Sequence, residues 1–296
     1  MTFTVVTSAL ELGFIYALVA LALFLSFRIL NIADMTTDGS FTLGCAVSAT
    51  VAVAGHPWLA LPAAMIAGAA AGSVTAMLQT KCRVPSILAG IITNTGLYTV
   101  NLAVMGFSSN VNMLRTTTIF SLLGMQLKIV PAAVISIVAA VLVVLFLNTR
   151  LGLSIRATGD NPDMVRASSI NPIFTTTVGL CVANAFTGLS GCLLSQAQKS
   201  VNTDIGSGMV TIALASLLIG RTLMGKGGIF NRAVGMVLGA FVFRLVYTIA
   251  LRMNMPAYML KLVSSAIVVV AIFLPYMKRQ MPLMRRAMAG KGKGGN

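Results

Sequence analysis

Four intervals of this chain run without an acidic residue or an arginine: Gly39–Thr80, Val84–Leu114, Ile129–Thr149 and Ala167–Lys199. Lysine enters only at the boundary of the last. A soluble core does not need uncharged stretches of that length, whereas a helix crossing a bilayer needs about 20 apolar residues. Lipid offers no partner to a backbone N–H or C=O, and a helix satisfies both internally. The feature therefore predicts an all-α, polytopic helical membrane protein. Composition agrees: 57% of the 296 residues are hydrophobic and 9% charged, against about 25% charged in a typical soluble domain.

Spans are expected at about Phe3–Phe27, then from Ser40 to Ala54, Trp58–Thr80, Pro85–Phe107, Lys128–Asn148, Ile173–Gln196, Met209–Ile219, Ala233–Leu251 and Tyr258–Met277. That makes about 8–10 membrane helices in one domain over residues 1–277, with a polar loop at 150–172 and a basic tail at 278–296. The segments after Ser40 and after Gly208 are short enough to be half-helices.

The formal net charge is +15. In a soluble chain that would suggest nucleic acid. Here the basic residues fall in loops and the tail, where the positive-inside rule puts them, and no aromatic–basic interleaving invites base stacking, so no nucleic-acid partner is expected. Placing Arg28, Lys81, Arg83, Arg150–Arg166, Arg221–Arg232 and the tail on one side is consistent with nine crossings. That side is expected to be the cytoplasm, with the N-terminus outside and the C-terminus inside. Membrane lipid is then an obligatory partner. The four cysteines form no CxxC pair and read as small buried hydrophobes. The lone His56 has no ligand partner nearby, so no metal site is expected.

Arg156–Asn171 (RATGDNPDMVRASSIN) is the longest polar interval between spans and holds two of the six acidic residues. It reads as a short helix: Asp160 or Asn161 can cap it, Pro162 fits its first position, and Asp163 suits the positive end of its dipole. Met164, Val165 and Ala167 give it an apolar side, flanked by Arg156 and Arg166. A turn between spans needs no such helix. It either docks onto a partner or lies on lipid headgroups.

Two polar, Gly-containing openings precede short apolar segments. One holds Asp34 and Asp38-Gly39-Ser40; the other runs from Asn202 through Asp204, Gly206 and Gly208. They occupy corresponding places in the two halves, as the interruptions of discontinuous helices in an inverted repeat do. Ordinary capped loops are the alternative. By the charge rule the first opening is cytoplasmic and the second external. In the fourth span Asn94, Tyr98 and Asn101 share a helical face. They line either a watery path or an interhelical hydrogen-bond seam. Glu11 and Arg244 lie at equal estimated depth, so they either pair or Arg244 snorkels to the interface.

No enzyme is expected. The chain has one histidine, no paired carboxylates in an apolar site, no Gly-x-Ser-x-Gly and no Walker A; Gly225-Lys226-Gly227-Gly228 lacks the P-loop spacing.

Leu30–Asp34 with Asp38–Phe41, Gly96–Asn101, Arg156–Asn171, Leu189–Gly191 and Gly206–Gly220, taken in order, resemble the permease subunits of ABC importers. The resemblance is to the branched-chain amino acid and ribose permease branch, and to its subgroup linked to aromatic or other amino acid uptake. It departs from the family at Arg221-Thr222. It implies a second permease subunit, expected as a homodimer, two cytoplasmic ABC ATPase subunits and an extracytoplasmic solute-binding protein. It implies no cofactor on this chain, because the partners bind ATP. It also implies that Asp160–Ser169 sits in an ATPase groove, and a transported amino acid. A sugar or nucleoside permease and a stand-alone secondary transporter are the alternatives.

Overall fold

The computed structural model describes residues 2–122, 128–224, 227–252, 262–271 and 273. The sequence-predicted tail at 278–296 lies outside them. Ten long or short helices frame the described chain: α1 Thr2–Leu23, α2 Thr37–Val53, α3 Ala60–Thr80, α4 Ser86–Val104, α5 Ile119–Leu122, α6 Ile129–Asn148, α7 Arg150–Asp160, α8 Pro162–Ala167, α9 Pro172–Gln198 and α10 Met209–Met224. They are followed by α11 Ile229–Arg252 and a further apolar helix, α12, at Leu262–Ala271. A wide π-helical turn, Phe24–Ile29, continues α1. Among the described residues, six helices are long and apolar enough to cross a membrane: 6–29, α3, α4, α6, α9 and α11. The chain is a multi-pass helical membrane protein.

The helix α9 is the axis of the bundle. Its glycines and small residues let neighbouring backbones approach closely, the usual basis of helix association in lipid. Gly68 of α3 abuts the Asn184 carbonyl, Gly44 of α2 abuts Gly188, and Gly191 abuts the Phe41 carbonyl. A side chain at any of these points would collide with backbone. Apolar residues of α3, α4, α6 and α11, such as Ile66, Ile91, Leu145 and Leu245, remain exposed, as lipid-facing surfaces should.

Contacts fix the directions. On α2, Cys45 donates to the Gly191 carbonyl at 3.1 Å and Ser48 to that of Cys192 at 3.4 Å, so α2 and α9 run parallel. Gly72 meets Leu180 while Gly68 meets Asn184, so α3 runs back. One end of the bundle carries Arg28, Arg150, Arg166, Arg221 and Arg232 and is called the basic face. The far face carries His56, Lys128 and Lys199, and a two-stranded antiparallel pair, β1 Asn110–Asn112 with β2 Ser200–Asn202, in which Val111 faces Val201. Between α4 and α6 the described chain thus contains a strand and the short α5. The span expected at Met209–Ile219 runs on past its predicted end, since α10 continues to Met224.

Candidate functional site

Asn184 is the thirteenth of 27 residues in α9, hence near mid-depth. Its amide donates to Asp34 Oδ2 at 2.7 Å and its carbonyl oxygen accepts from Ser40 at 2.7 Å. The other oxygen of Asp34 accepts the Thr36 N–H at 2.9 Å. Asp34 and Ser40 are 3% and 0% exposed. This places the first opening at mid-depth, not on the basic face as the charge rule predicts. The reason is chain geometry. Residues 31–36 have no helical structure, and a non-helical run of that length can reach about 20 Å. After leaving the basic face the chain climbs to mid-depth and only then starts α2.

The second opening comes to the same place. From β2 on the far face, residues 203–208 descend until Gly206 presses on the Asp38 carbonyl. Gly208 then turns the chain with φ +90°, a conformation that glycine adopts at little cost. Helix α10 starts there and runs to the basic face, whereas α2 runs to the far face. The two openings therefore meet, and the N-termini of two oppositely directed half-helices face one spot in the membrane interior. Asp38 lies between them. It belongs to the first turn of α2, and its carboxylate accepts from Gly208 N at 3.1 Å and Val210 N at 2.9 Å in α10.

Beside this junction lies a cavity of about 220 Å³ lined by Asp38, Gly39, Asn94, Tyr98, Asn101, Asp204 and Gly206, together with Thr42, Thr95, Thr203 and Ser207. Of the expected path residues, seven converge there. Gly208 lines a neighbouring cavity, and Asp34 and Ser40 are fastened to Asn184 behind the wall. The polar stripe of α4 serves both readings given above. Asn101 donates to the Gly39 carbonyl at 3.3 Å, a seam contact, yet its buried Oδ1 has no partner among the described residues. Tyr98 is 54% exposed. Thr42 and Thr95 were legible only as i+4 from Asp38 and i−3 from Tyr98.

A second cavity, of about 440 Å³, adjoins the first through Ser207 and is lined by Tyr16, Gly208, Thr211, Arg244 and Tyr247 among others. Of the two readings of Arg244, the pair with Glu11 is not formed. Among the described residues the one ion pair is Asp163–Arg166 at 3.5 Å. The Arg244 guanidinium instead lies 5.3 Å from the ring centre of Tyr16 and 4.7 Å from that of Tyr247. Tyr16 is five residues, about 7 Å, further along α1 than Glu11, and the tyrosine faces attract the cation. A third cavity, about 270 Å³ between α1, α6 and α11, offers almost only apolar side chains and suits lipid tails rather than a solute.

The loop at the basic face forms two helices. Helix α7, which ends at Asp160, was not foreseen; it packs through Gly152 and Ile155. Helix α8 then starts with Asn161 as its cap, accepting from Asp163 N and Met164 N at 3.1 Å each, and with Pro162 in its first turn. Between the two caps expected, Asn161 is the one used. Met164 projects, 65% exposed, and Asp163 and Arg166 form an exposed pair. Val165 does not project: it is 2% exposed. Adjacent residues on a helix point about 100° apart, so Met164 and Val165 cannot enter one groove. Val165 anchors α8 and Met164 is its exposed apolar tip.

Residues 5–272 match the family described as branched-chain amino acid transport system / permease component. The chain is 31% identical over 265 residues to a tyrosine transport system permease protein of Clostridioides difficile, covering 89% of each. It is 23% identical to a ribose import permease protein of Haemophilus influenzae, covering 81% of this chain and 75% of that one. An autoinducer 2 import system permease protein of Yersinia enterocolitica is 26% identical over 87% of this chain and 70% of its own length. Among solved structures, PsaBC from Streptococcus pneumoniae in complex with Fab superposes with a TM-score of 0.52 over 93% of this chain and 94% of its own, at 14% identity, which speaks to fold alone. With a family match over nearly the whole chain and a polytopic helical bundle behind it, the protein belongs to the branched-chain amino acid transport system permease family, and is a transport permease component rather than an enzyme.

Proposed function

We propose that this chain is the translocation subunit of an ATP-driven importer for an amino acid. The observation that carries the reading is the meeting of two half-helix N-termini beside a polar cavity at mid-depth. Irregular backbone is tolerated at that depth only where protein or water satisfies it, and paired half-helices of this kind surround solute sites in transporters. Two such chains, most simply a homodimer, work with two ABC ATPases and an extracytoplasmic binding protein. The basic face is cytoplasmic by the positive-inside rule, which leaves the N-terminus outside and directs the tail inward. ATP stays on the partner subunits, and α8 receives their movement through Met164.

An amino acid is favoured over a sugar by the tyrosine permease relative and by the ionic lining. Asp38 and Asp204 border one cavity and Arg244 the next, a division that suits a zwitterion. Ribose permease relatives keep the sugar reading in play. Vesicles carrying this permease with its partner ATPase and binding protein test the reading: ATP-dependent uptake of labelled amino acids, and not of ribose or a nucleoside, is expected. Uptake driven by an ion gradient without the ATPase would make the chain a secondary transporter instead.

A further inference from the structure

An arginine inside a membrane span is costly and normally pairs or lines a functional site. Arg244 stands 15 residues from the start of α11 and eight from its end, about 22 Å and 12 Å along the helix. It forms no ion pair among the described residues, and its buried Nε has no hydrogen-bond partner there. What it has is aromatic: the rings of Tyr16 and Tyr247. Stacking occupies the flat face of a guanidinium. The N–H edge, the part that grips a planar oxyanion with two parallel hydrogen bonds, is not used by stacking. The cavity it borders is about 440 Å³, with room for a small solute, and the hydroxyls of Thr211 and Ser265 and the Gly208 turn also line it. Its neighbour across the 203–208 loop carries the opposite charge, from Asp38 and Asp204.

We propose that the Arg244 cavity is an anion subsite on the translocation path and takes the α-carboxylate of the transported amino acid. The proposal rests on the amino-acid reading above and adds to it the group that is recognised and the residue that recognises it. Tyr16 and Tyr247 are positioning residues that hold the guanidinium flat and its edge toward the cavity. A lipid phosphate is the less fitting anion, since headgroups do not reach this depth. A sugar would leave the arginine without its anion.

The test is made on the wild-type permease in complex with its ATPases, so no variant has to fold. Phenylglyoxal labels accessible arginine, and mass spectrometry reads the label at Arg244. The probes are the L-amino acids other than arginine, cysteine, aspartate and glutamate, pooled, and the same pool as α-amides, which keep the ammonium group and side chain but lose the carboxylate; leaving out arginine and cysteine keeps the pools from consuming the reagent. At about ten times the half-saturating concentration the amino-acid pool should slow labelling about tenfold by occupancy, and the amide pool should leave it unchanged. Equal protection by both pools, or by neither, overturns the subsite. Protection by added anionic phospholipid but not by amino acids also overturns it, in favour of a lipid site. Uptake by the reconstituted wild-type assembly separates the two levels: amino acid import with Arg244 unprotected sinks only the subsite, while import of ribose and no amino acid sinks the function as well.

Discussion

Asp38 in α2 accepts the backbone N–H groups of Gly208 and Val210 at 3.1 and 2.9 Å, so a side chain of one half-helix caps the other. One carboxylate thereby meets two positive helix ends, its own and that of α10, and each favours negative charge. The same contact ties the first opening of the chain to the second across 170 residues. A rearrangement that separates α2 from α10 must break it, which makes it a natural hinge point for switching access.

Replacing Asp38 by alanine should strand two amides at membrane depth and cost about 1–3 kcal/mol. Asparagine keeps an acceptor but not the charge and should cost less. Thermal unfolding in detergent ranks the two; equal and negligible losses would mean that the cap is incidental.

Asn184 bridges the Asp34 carboxylate and the Ser40 hydroxyl. Asn184→Leu leaves the buried Asp34 carboxyl with one fewer hydrogen-bond donor, a loss of about 1.5–3 kcal/mol for a bond to such a group. Adding Asp34→Asn to that variant should restore part of the loss, because the stranded charge goes with it. A double variant weaker than both single ones would contradict this.

Gly188 abuts both the Ala64 carbonyl and Gly44. Gly188→Val should prevent α9 from seating between α2 and α3 and abolish the folded protein, whereas Gly96→Ala, with open space around it, should be silent. Expression and monodispersity in detergent check the pair.

At the basic face, Met164→Asp should leave the permease folded but break the link between ATP hydrolysis and uptake. Val165→Asp should instead destabilise the protein, since that side chain is buried. Hydrolysis, uptake and melting temperature, measured on both variants, distinguish the roles. Normal transport by Met164→Asp would remove α8 from the coupling mechanism.

Much of the helix pattern was legible because lipid imposes it. Uncharged intervals gave α3, α4, α6 and α9 to within a few residues, the apolar run between Arg232 and Arg252 gave α11 in spite of Arg244, and the Asn161-Pro162-Asp163 start signal gave α8. Depth was not legible. Counting charges placed the openings on opposite faces, because nothing in NIADMTTDGS states that residues 31–36 climb to mid-membrane before α2 begins. The surroundings of Arg244 were hidden for a similar reason: equal residue counts offered Glu11 as one candidate partner, but two tyrosines spaced far apart in sequence surround it. Helix α7 was hidden by its polar composition, and the β1–β2 pairing by its three-residue strands. The cavity beside α4 was half legible. The stripe of Asn94, Tyr98 and Asn101 follows from helical spacing, while its closure by Asp204 and Gly206 is a tertiary event.

The account stands on solute passing that cavity under the control of ATP on the partner subunits. Single cysteines at Asn94, Tyr98 and Asp204, in a chain whose Cys45, Cys82, Cys181 and Cys192 are replaced by serine or alanine, report on it directly. In the complete transporter each should react with a water-soluble thiol reagent applied from one side, and the rates should change when ATP is trapped on the ATPases. Positions that stay unreactive, or react at one rate in every nucleotide state, would show that the polar stripe is a packing seam and that the path lies elsewhere.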